Sequence, residues 1–291
     1  MPSYLVTGAS RGLGYAFIKK LASDPSNTVI GLVRNKEATL TRLQKDNISS
    51  IHILQADIED SPALQTAASQ VSKITGGSLD VLINNAAYVS EESNFTTIAE
   101  AYVPPLPLHF PNEKGPDLTQ EHDSEKNLAA VLADFQKSIQ INLVGVFNTI
   151  TAFLPLLRLS PIKKVISITT GMADLDFTKD FSIGTAPAYS ISKAALNMLV
   201  LKYHNAYQNE GILFMGVSPG LVATAENKTY TPEELEGFKQ MVSAFQGYAP
   251  NFEGPISPQQ SVDMVLKVID EATVEKSGGS FVSHYGNKQW L

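Results

Sequence analysis

The amino-acid sequence predicts an α/β fold, a doubly wound parallel sheet of about seven strands flanked by helices, in one domain spanning 1–291. Three observations predict it. Short apolar, β-branched runs recur along the chain, each followed by a stretch of helical character. These runs are nearly continuous in hydrophobic residues rather than alternating, as suits strands covered on both faces. The first of them opens directly into a glycine-rich turn and an apolar helix, which is how a βαβ unit begins.

The elements follow in order. Strand 3–7 (SYLVT) leads to helix 12–23, strand 28–33 (TVIGLV) to helix 36–46, and strand 51–55 (IHILQ) to helix 60–74. Strand 80–84 (DVLIN) is followed by a long, polar, proline-rich segment, 88–123, and then by a helical pattern over 126–158. Strand 163–169 (KKVISIT) runs into a second irregular segment, 171–187, and a helix over 188–209. Strand 212–217 precedes a third irregular segment, 226–257. Within it a helix starts after Thr231-Pro232, with Thr231 as cap, Pro232 at the first helical position and Glu234 reaching back. Helix 258–273 and strand 280–283 complete the pattern, with no internal repeat and no linker. All three irregular segments follow strand C-termini. In a parallel sheet those ends share one edge, where ligands bind, so 88–123, 171–187 and 226–257 are expected to build a substrate pocket and its lid.

Composition narrows the function. Of 291 residues, 43% are hydrophobic and 18% charged, too apolar for a disordered chain. A net charge of -7 argues against nucleic acid and against an anionic membrane surface. There is no cysteine, which excludes disulfides, thiol nucleophiles and zinc–thiolate sites. His52, His109, His122, His204 and His284 are scattered without metal-ligand spacing, so no metal is expected. The first strand begins almost at Met1, leaving no room for a leader, and no apolar run approaches the roughly 20 residues of a membrane span. A cytoplasmic protein is the expectation. Asp174, Asp176 and Asp180 read as a solvated acidic face.

The turn after the first strand is Thr7-Gly8-Ala9-Ser10-Arg11-Gly12-Leu13-Gly14. Its glycines permit a tight turn and close approach of a phosphate, while the following helix offers N–H donors and positive potential. About 20 residues on, an acidic residue would hold the ribose hydroxyls of NAD, whereas arginine accommodates the 2′-phosphate of NADP. This chain has Arg34 there and a second guanidinium at Arg11, so NADP(H) is the cofactor read from the residues. In "PAYSISKAA", Tyr189 and Lys193 stand four apart on one helix face.

With these motifs on one chain, the sequence resembles the short-chain dehydrogenase/reductase family, and in particular its NADP(H)-dependent carbonyl reductases and ketoreductases, whose fold is of the Rossmann type. Further matches are Asp57 in "LQADIED", Asn84-Asn85-Ala86-Ala87, Asn142 in "IQINLVGVF", and Pro219-Gly220 with Thr224 following. The sequence departs from the family pattern at several points. Ala87 replaces the usual glycine, and a threonine replaces the usual serine after the fifth strand, with Thr170 favoured and Ser167 or Thr169 as alternatives. The interval from Thr170 to Tyr189 and the segment 88–123 are also longer than the family pattern. The resemblance implies catalytic roles for Asn142, Thr170, Tyr189 and Lys193. It implies cofactor contacts at Gly8, Ser10, Arg11, Gly12, Leu13, Gly14, Arg34, Asp57, Ile58, Asn85, Ala86, Tyr189, Lys193, Pro219, Gly220, Val222 and Thr224.

On that reading Tyr189 donates a proton to a substrate carbonyl that receives hydride, and the Thr170 hydroxyl steadies the oxygen. The Lys193 ammonium is expected to lower the phenol pKa. By resemblance, Lys193 also holds the nicotinamide ribose and Asn142 supports a relay water. For Asp57 the alternative is a helix cap. The aromatic content of the irregular segments (Tyr102, Phe110, Phe238, Phe245, Tyr248, Phe252) points to a bulky, fairly apolar carbonyl or alcohol substrate. A homodimer or homotetramer is implied by the family. Two other functions remain open: a non-redox enzyme on the same scaffold, such as a dehydratase or epimerase, and an NADP-binding sensor without turnover.

Overall fold

The computed structural model describes residues 1–90, 93–99, 119–224 and 231–291. One sheet of seven parallel strands runs in the order β3-β2-β1-β4-β5-β6-β7. The strands are β1 Ser3–Thr7, β2 Thr28–Val33, β3 Ile51–Gln55, β4 Val81–Asn84, β5 Lys164–Ile168, β6 Leu213–Ser218 and β7 Phe281–Ser283. Every strand expected from the sequence is present, within a residue of the expected ends. Asp80 lies just outside β4, its backbone N–H donating to Ser3 Oγ at 3.0 Å, and its carboxylate is also engaged. It accepts from the backbone N–H and the hydroxyl of Ser3 at 2.7 and 2.8 Å, and from Ser160 Oγ, stapling the N-terminal ends of three strands.

The helices among the described residues are α1 Gly12–Ala22, α2 Lys36–Lys45, α3 Ser61–Thr75, α4 Thr119–Ile139, α5 Gly145–Arg158, α6 Leu175–Asp180, α7 Pro187–Tyr207, α8 Pro232–Tyr248, α9 Pro258–Glu271 and the short α10 Val274–Ser277. Val6, Ile83, Ile166 and Met215 pack with α1 and α9 on one face of the sheet. Leu5, Leu82, Val165 and Phe214 pack with α3, α5 and α7 on the other. Both faces are therefore dry, and that is why the strands read as unbroken apolar runs.

The helical pattern over 126–158 resolves into α4 and α5 joined by one wide turn of π-helix, Gln140–Val144, in which the Gly145 N–H bonds to the Gln140 carbonyl. Helix α4 begins earlier than the sequence pattern, at Thr119. The stretch Ala129–Arg158 is long and apolar enough to cross a membrane by length and composition, which a search for unbroken apolar runs does not reveal. Its Val146, Ile150, Phe153 and Leu157 are buried against the sheet.

The irregular segments contain short structure of their own. In 171–187, a 3₁₀ turn at Gly171–Ala173 precedes α6. Asp174, expected on a solvated face, instead caps α6 by accepting from Phe177 N at 3.0 Å and pairs with Lys288 at 2.8 Å. Helix α8 starts with the expected capping box of Thr231 and Glu234. Above the C-terminal edge, the segments meet in a third apolar cluster: Phe95, Met172 and Phe177 from the first two, Met241 and Phe245 from α8, and Trp290 from the chain's last turn. Tyr102 and Phe110 lie outside the described residues.

Candidate active site

The glycine loop joins β1 to α1 at the C-terminal edge. Gly8 and Gly12 adopt left-handed φ of 66° and 54°, where a side chain is strained. Gly14 is needed for space. A Cβ there would stand 2.3 Å from the Gly8 carbonyl and 2.4 Å from Asn85 Nδ2. Gly14→Ala is accordingly expected to destabilise the fold by about 1–3 kcal/mol, with dinucleotide affinity lost as the loop shifts. Chemical denaturation and cofactor titration read the two effects separately.

The loop suits a phosphate. The first turn of α1 carries no acidic residue, and its N-cap, Arg11, makes no side-chain cap bond, leaving the helix N–H groups unopposed by negative charge. Ser10, Arg11 and Arg34 are exposed around it. Leu13, by contrast, is buried behind the loop.

Asn85 closes the loop from the β4 side. Its side chain donates to the Thr7 carbonyl at 2.9 Å, and the backbone N–H groups of Asn85 and Ala86 both donate to Thr7 Oγ1 at 3.0 Å. Ala87 takes no positive φ, so the alanine in place of glycine costs no backbone strain. On the other side, Thr224 lies 3.4 Å from where a Gly12 Cβ would be, so residues far apart in the sequence flank one loop. Pro219 is anchored by Ser261 Oγ at 2.7 Å, and Gly220 turns with φ 80° against the His284 ring. Val222 bridges to Ile256.

Asp57 is half-buried at the end of β3 and accepts from Glu59 N at 3.1 Å. The cap of α3 is Asp60, which bonds Ala63 N at 3.0 Å, so the alternative role for Asp57 falls away. Ile58 is buried beneath α5, where Gly145 leaves room for it.

Helix α7 delivers Tyr189 and Lys193. It is set by Ala186 in the left-handed conformation, with Pro187 in the first turn. Lys193 is 1% exposed; its Nζ donates to the Ile168 carbonyl at 2.8 Å, fixing α7 to the end of β5, and lies 5.8 Å from the Tyr189 ring centroid. Burial pushes the Tyr189 phenol up to about 12 and the Lys193 amine down to about 7. This corrects the expectation of a lowered phenol pKa. Spacing on a helix brings the two together, but the dry surroundings favour the neutral form of each.

Of the three candidate hydroxyls at and after the end of β5, Ser167, within the strand, and Thr169 are each 1% exposed. Thr169 Oγ1 is without a partner, and Ser167 Oγ receives Asn84 Nδ2 at 3.4 Å. Thr170 alone of the three is open to solvent, capping the 3₁₀ turn by accepting from Met172 N at 3.3 Å.

Asn142 sits in the π turn, fully buried. Its Nδ2 donates to the Tyr88 carbonyl and to Ser192 Oγ, each at 2.9 Å, and its Oδ1 accepts from Tyr88 N at 2.8 Å. Ser192 Oγ in turn donates to the Tyr189 carbonyl at 2.7 Å. Tyr88 and Ser192 were not read from the sequence. Ser192, one place before Lys193 and three after Tyr189, is the one whose spacing carried a signal.

A family model described as "short chain dehydrogenase" matches residues 3–103 and 122–235. Short-chain dehydrogenase/reductase AacuF of Aspergillus aculeatus is 46% identical over 292 residues, covering 100% of both chains. Norsolorinic acid ketoreductase nor1 of Dothistroma septosporum is 31% identical, covering 97% of this chain and 89% of its own. The crystal structure of NADPH-bound carbonyl reductase from chicken fatty liver superposes with a TM-score of 0.69 at 23% identity, covering 99% and 98% of the two chains. Matched by the family model over most of its length, with a glycine loop, a Tyr189–Lys193 helix and Asn142 brought to one sheet edge, this chain belongs to the short-chain dehydrogenase/reductase family of oxidoreductases.

Proposed function

We propose that the protein is an NADPH-dependent reductase of a ketone or aldehyde carbonyl, working in reverse as an alcohol dehydrogenase. The observation that carries this reading is the anchoring of Lys193 on the Ile168 carbonyl. It holds Tyr189 beside the end of β5, where Thr170 is the accessible hydroxyl. Gly8 to Gly14, with Asn85, Ala86, Asp57, Ile58, Pro219, Gly220, Val222 and Thr224, would hold the dinucleotide, and Arg11 and Arg34 its 2′-phosphate.

When bound, NADPH supplies hydride. The chain's own residues handle the proton. Tyr189, with a pKa near 12, keeps its phenol proton at neutral pH and offers it to the carbonyl oxygen. Thr170 donates a hydrogen bond to the same oxygen, and the ammonium form of Lys193 stabilises the tyrosinate that results. Asn142 fixes the Tyr88 segment against α7 through Ser192, keeping the phenol in register.

A bulky, fairly apolar substrate is part of the proposal. Phe177 and Phe245 are nearly fully buried in the lid cluster, so they build the lid. The half-buried Phe95, Met172, Phe238 and Phe252 pack against that cluster, Phe95 on Phe238 and Phe252 on Phe245, and their partly exposed apolar surfaces support an apolar ligand. A homodimer or homotetramer is supported by the exposed Phe147, Ile191, Met198 and Leu201 on α5 and α7, and sedimentation tests it. A cytoplasmic location belongs to the same reading.

The test is an absorbance assay with NADPH or NADH against a panel of bulky ketones and small sugars. Turnover that prefers NADPH and apolar ketones supports the reading. Tight NADPH binding with no turnover on any carbonyl would favour dehydration, epimerisation or sensing instead.

A further inference from the structure

Besides Arg11 in the glycine loop and Arg34 just after β2, a third arginine touches the loop. The third, Arg42, comes from two turns into α2: its Nη1 donates to the Ser10 carbonyl at 3.4 Å, and its guanidinium carbon lies 4.2 Å from the centroid of the Tyr15 ring. Tyr15 is itself fixed, because its hydroxyl donates to Asp46 Oδ2 at 2.9 Å and Lys19 Nζ donates to the same oxygen at 3.1 Å. Gly8 N bonds the Leu32 carbonyl at 2.9 Å, which lays the start of the loop beside the end of β2, two residues before Arg34. Ser10, Arg11 and Arg34 are exposed, and Arg42 reaches Ser10 from α2. Glu37, the acid in the first turn of α2, is five residues from Arg42 and lies on a different face, whereas Asp46, one turn on, is close enough for the Arg42 charge to help lower its carboxyl pKa.

We propose that Arg42 is a third specificity-determining residue for NADP(H), contributing to recognition of the 2′-phosphate. This rests on the NADPH reading above. A guanidinium carries five N–H donors in a fork, enough to brace the loop and meet an anion from the same position. The ring of Tyr15 holds that planar fork in place, so less freedom is lost when it binds phosphate. A phosphate monoester carries close to two negative charges at neutral pH, and each added cation at its rim sharpens the preference for the phosphorylated dinucleotide. Arg42 contacts the loop rather than the catalytic residues, so it acts on cofactor choice and not on the proton chemistry.

Calorimetric titration of the full-length protein with NADPH and with NADH tests this, in wild type, Arg42→Gln and Arg42→Lys. Arg42→Gln is expected to weaken NADPH roughly tenfold and NADH by no more than about twofold, with Arg42→Lys recovering part of the loss and part of the salt dependence. Intact NADH binding shows that the variant is folded. Equal weakening of both cofactors would overturn the proposal, leaving Arg42 as a brace for the loop, and so would no change in either. The NADPH reading is judged separately by the wild type. If it binds NADH as tightly as NADPH, that reading fails, and the role of Arg42 fails with it.

Discussion

Replacing Tyr189 with phenylalanine is expected to lower NADPH-dependent carbonyl turnover by about 10²–10⁴-fold, with NADPH affinity within about twofold of wild type. The substitution removes one hydroxyl and keeps the ring, so the packing of α7 against the end of β5 survives. What is lost is the phenol proposed above as the proton donor beside Lys193. The accompanying pH profile follows from the two groups. Tyr189 keeps its proton until about 12, so loss of the acid does not limit reduction near neutrality. Lys193 gives up its proton from about 7 upward, and with it the charge that stabilises tyrosinate, so reduction is expected to slow as pH rises through that range. Stopped-flow turnover across pH, for wild type and variant, checks both statements. Near-normal turnover in the Tyr189→Phe enzyme would remove Tyr189 from the mechanism.

The second large effect concerns stability. Lys193→Met is expected to make the protein without added cofactor more stable below pH 7, by about 2 kcal/mol, while abolishing activity. Burial lowers the lysine pKa from 10.5 to about 7. Between those values the native state holds fewer protons than the unfolded chain, so wild-type stability rises with pH across the window and the full penalty applies below it. Methionine removes that penalty at the cost of the bond to the Ile168 carbonyl. The advantage of the variant should therefore shrink as pH climbs toward 10. Calorimetric unfolding at pH 6, 8 and 10 reads this directly, and a variant less stable than wild type at pH 6 would show that the hydrogen bond outweighs the buried charge.

Much of the fold was legible because its physics is local. Strands covered on both faces must be apolar throughout, and TVIGLV and DVLIN say so at sight. The capping box at Thr231 and Glu234 is likewise a short-range signal, and it was found where expected. The π turn at Asn142 was not legible, since one extra residue in a helix leaves no mark in composition. Nor was the docking of Trp290 under Gly171, where a Cβ on the glycine would come within 2.8 Å of the indole side chain; the two residues meet only through tertiary packing. The site divides the same way. Tyr189 and Lys193 announced themselves by spacing, whereas the direction of their pKa shifts depends on how dry their surroundings are, which spacing does not encode.

The aromatic cluster above the sheet edge is separate from the two layers that sandwich the strands. Phe177 stacks with Phe245 at 6.0 Å and meets Tyr248 edge-on at 4.7 Å, and the Tyr248 hydroxyl links to Lys288 and Trp290 of the last turn. A group held by its own contacts, with the strands intact beneath it, has the makings of an independent cooperative unit. Its amide hydrogens should exchange together and sooner than those of the sheet. Opening of that unit would then set how fast a large product leaves, so turnover on bulky substrates is expected to follow the exchange rate of α8 and not the stability of the protein as a whole.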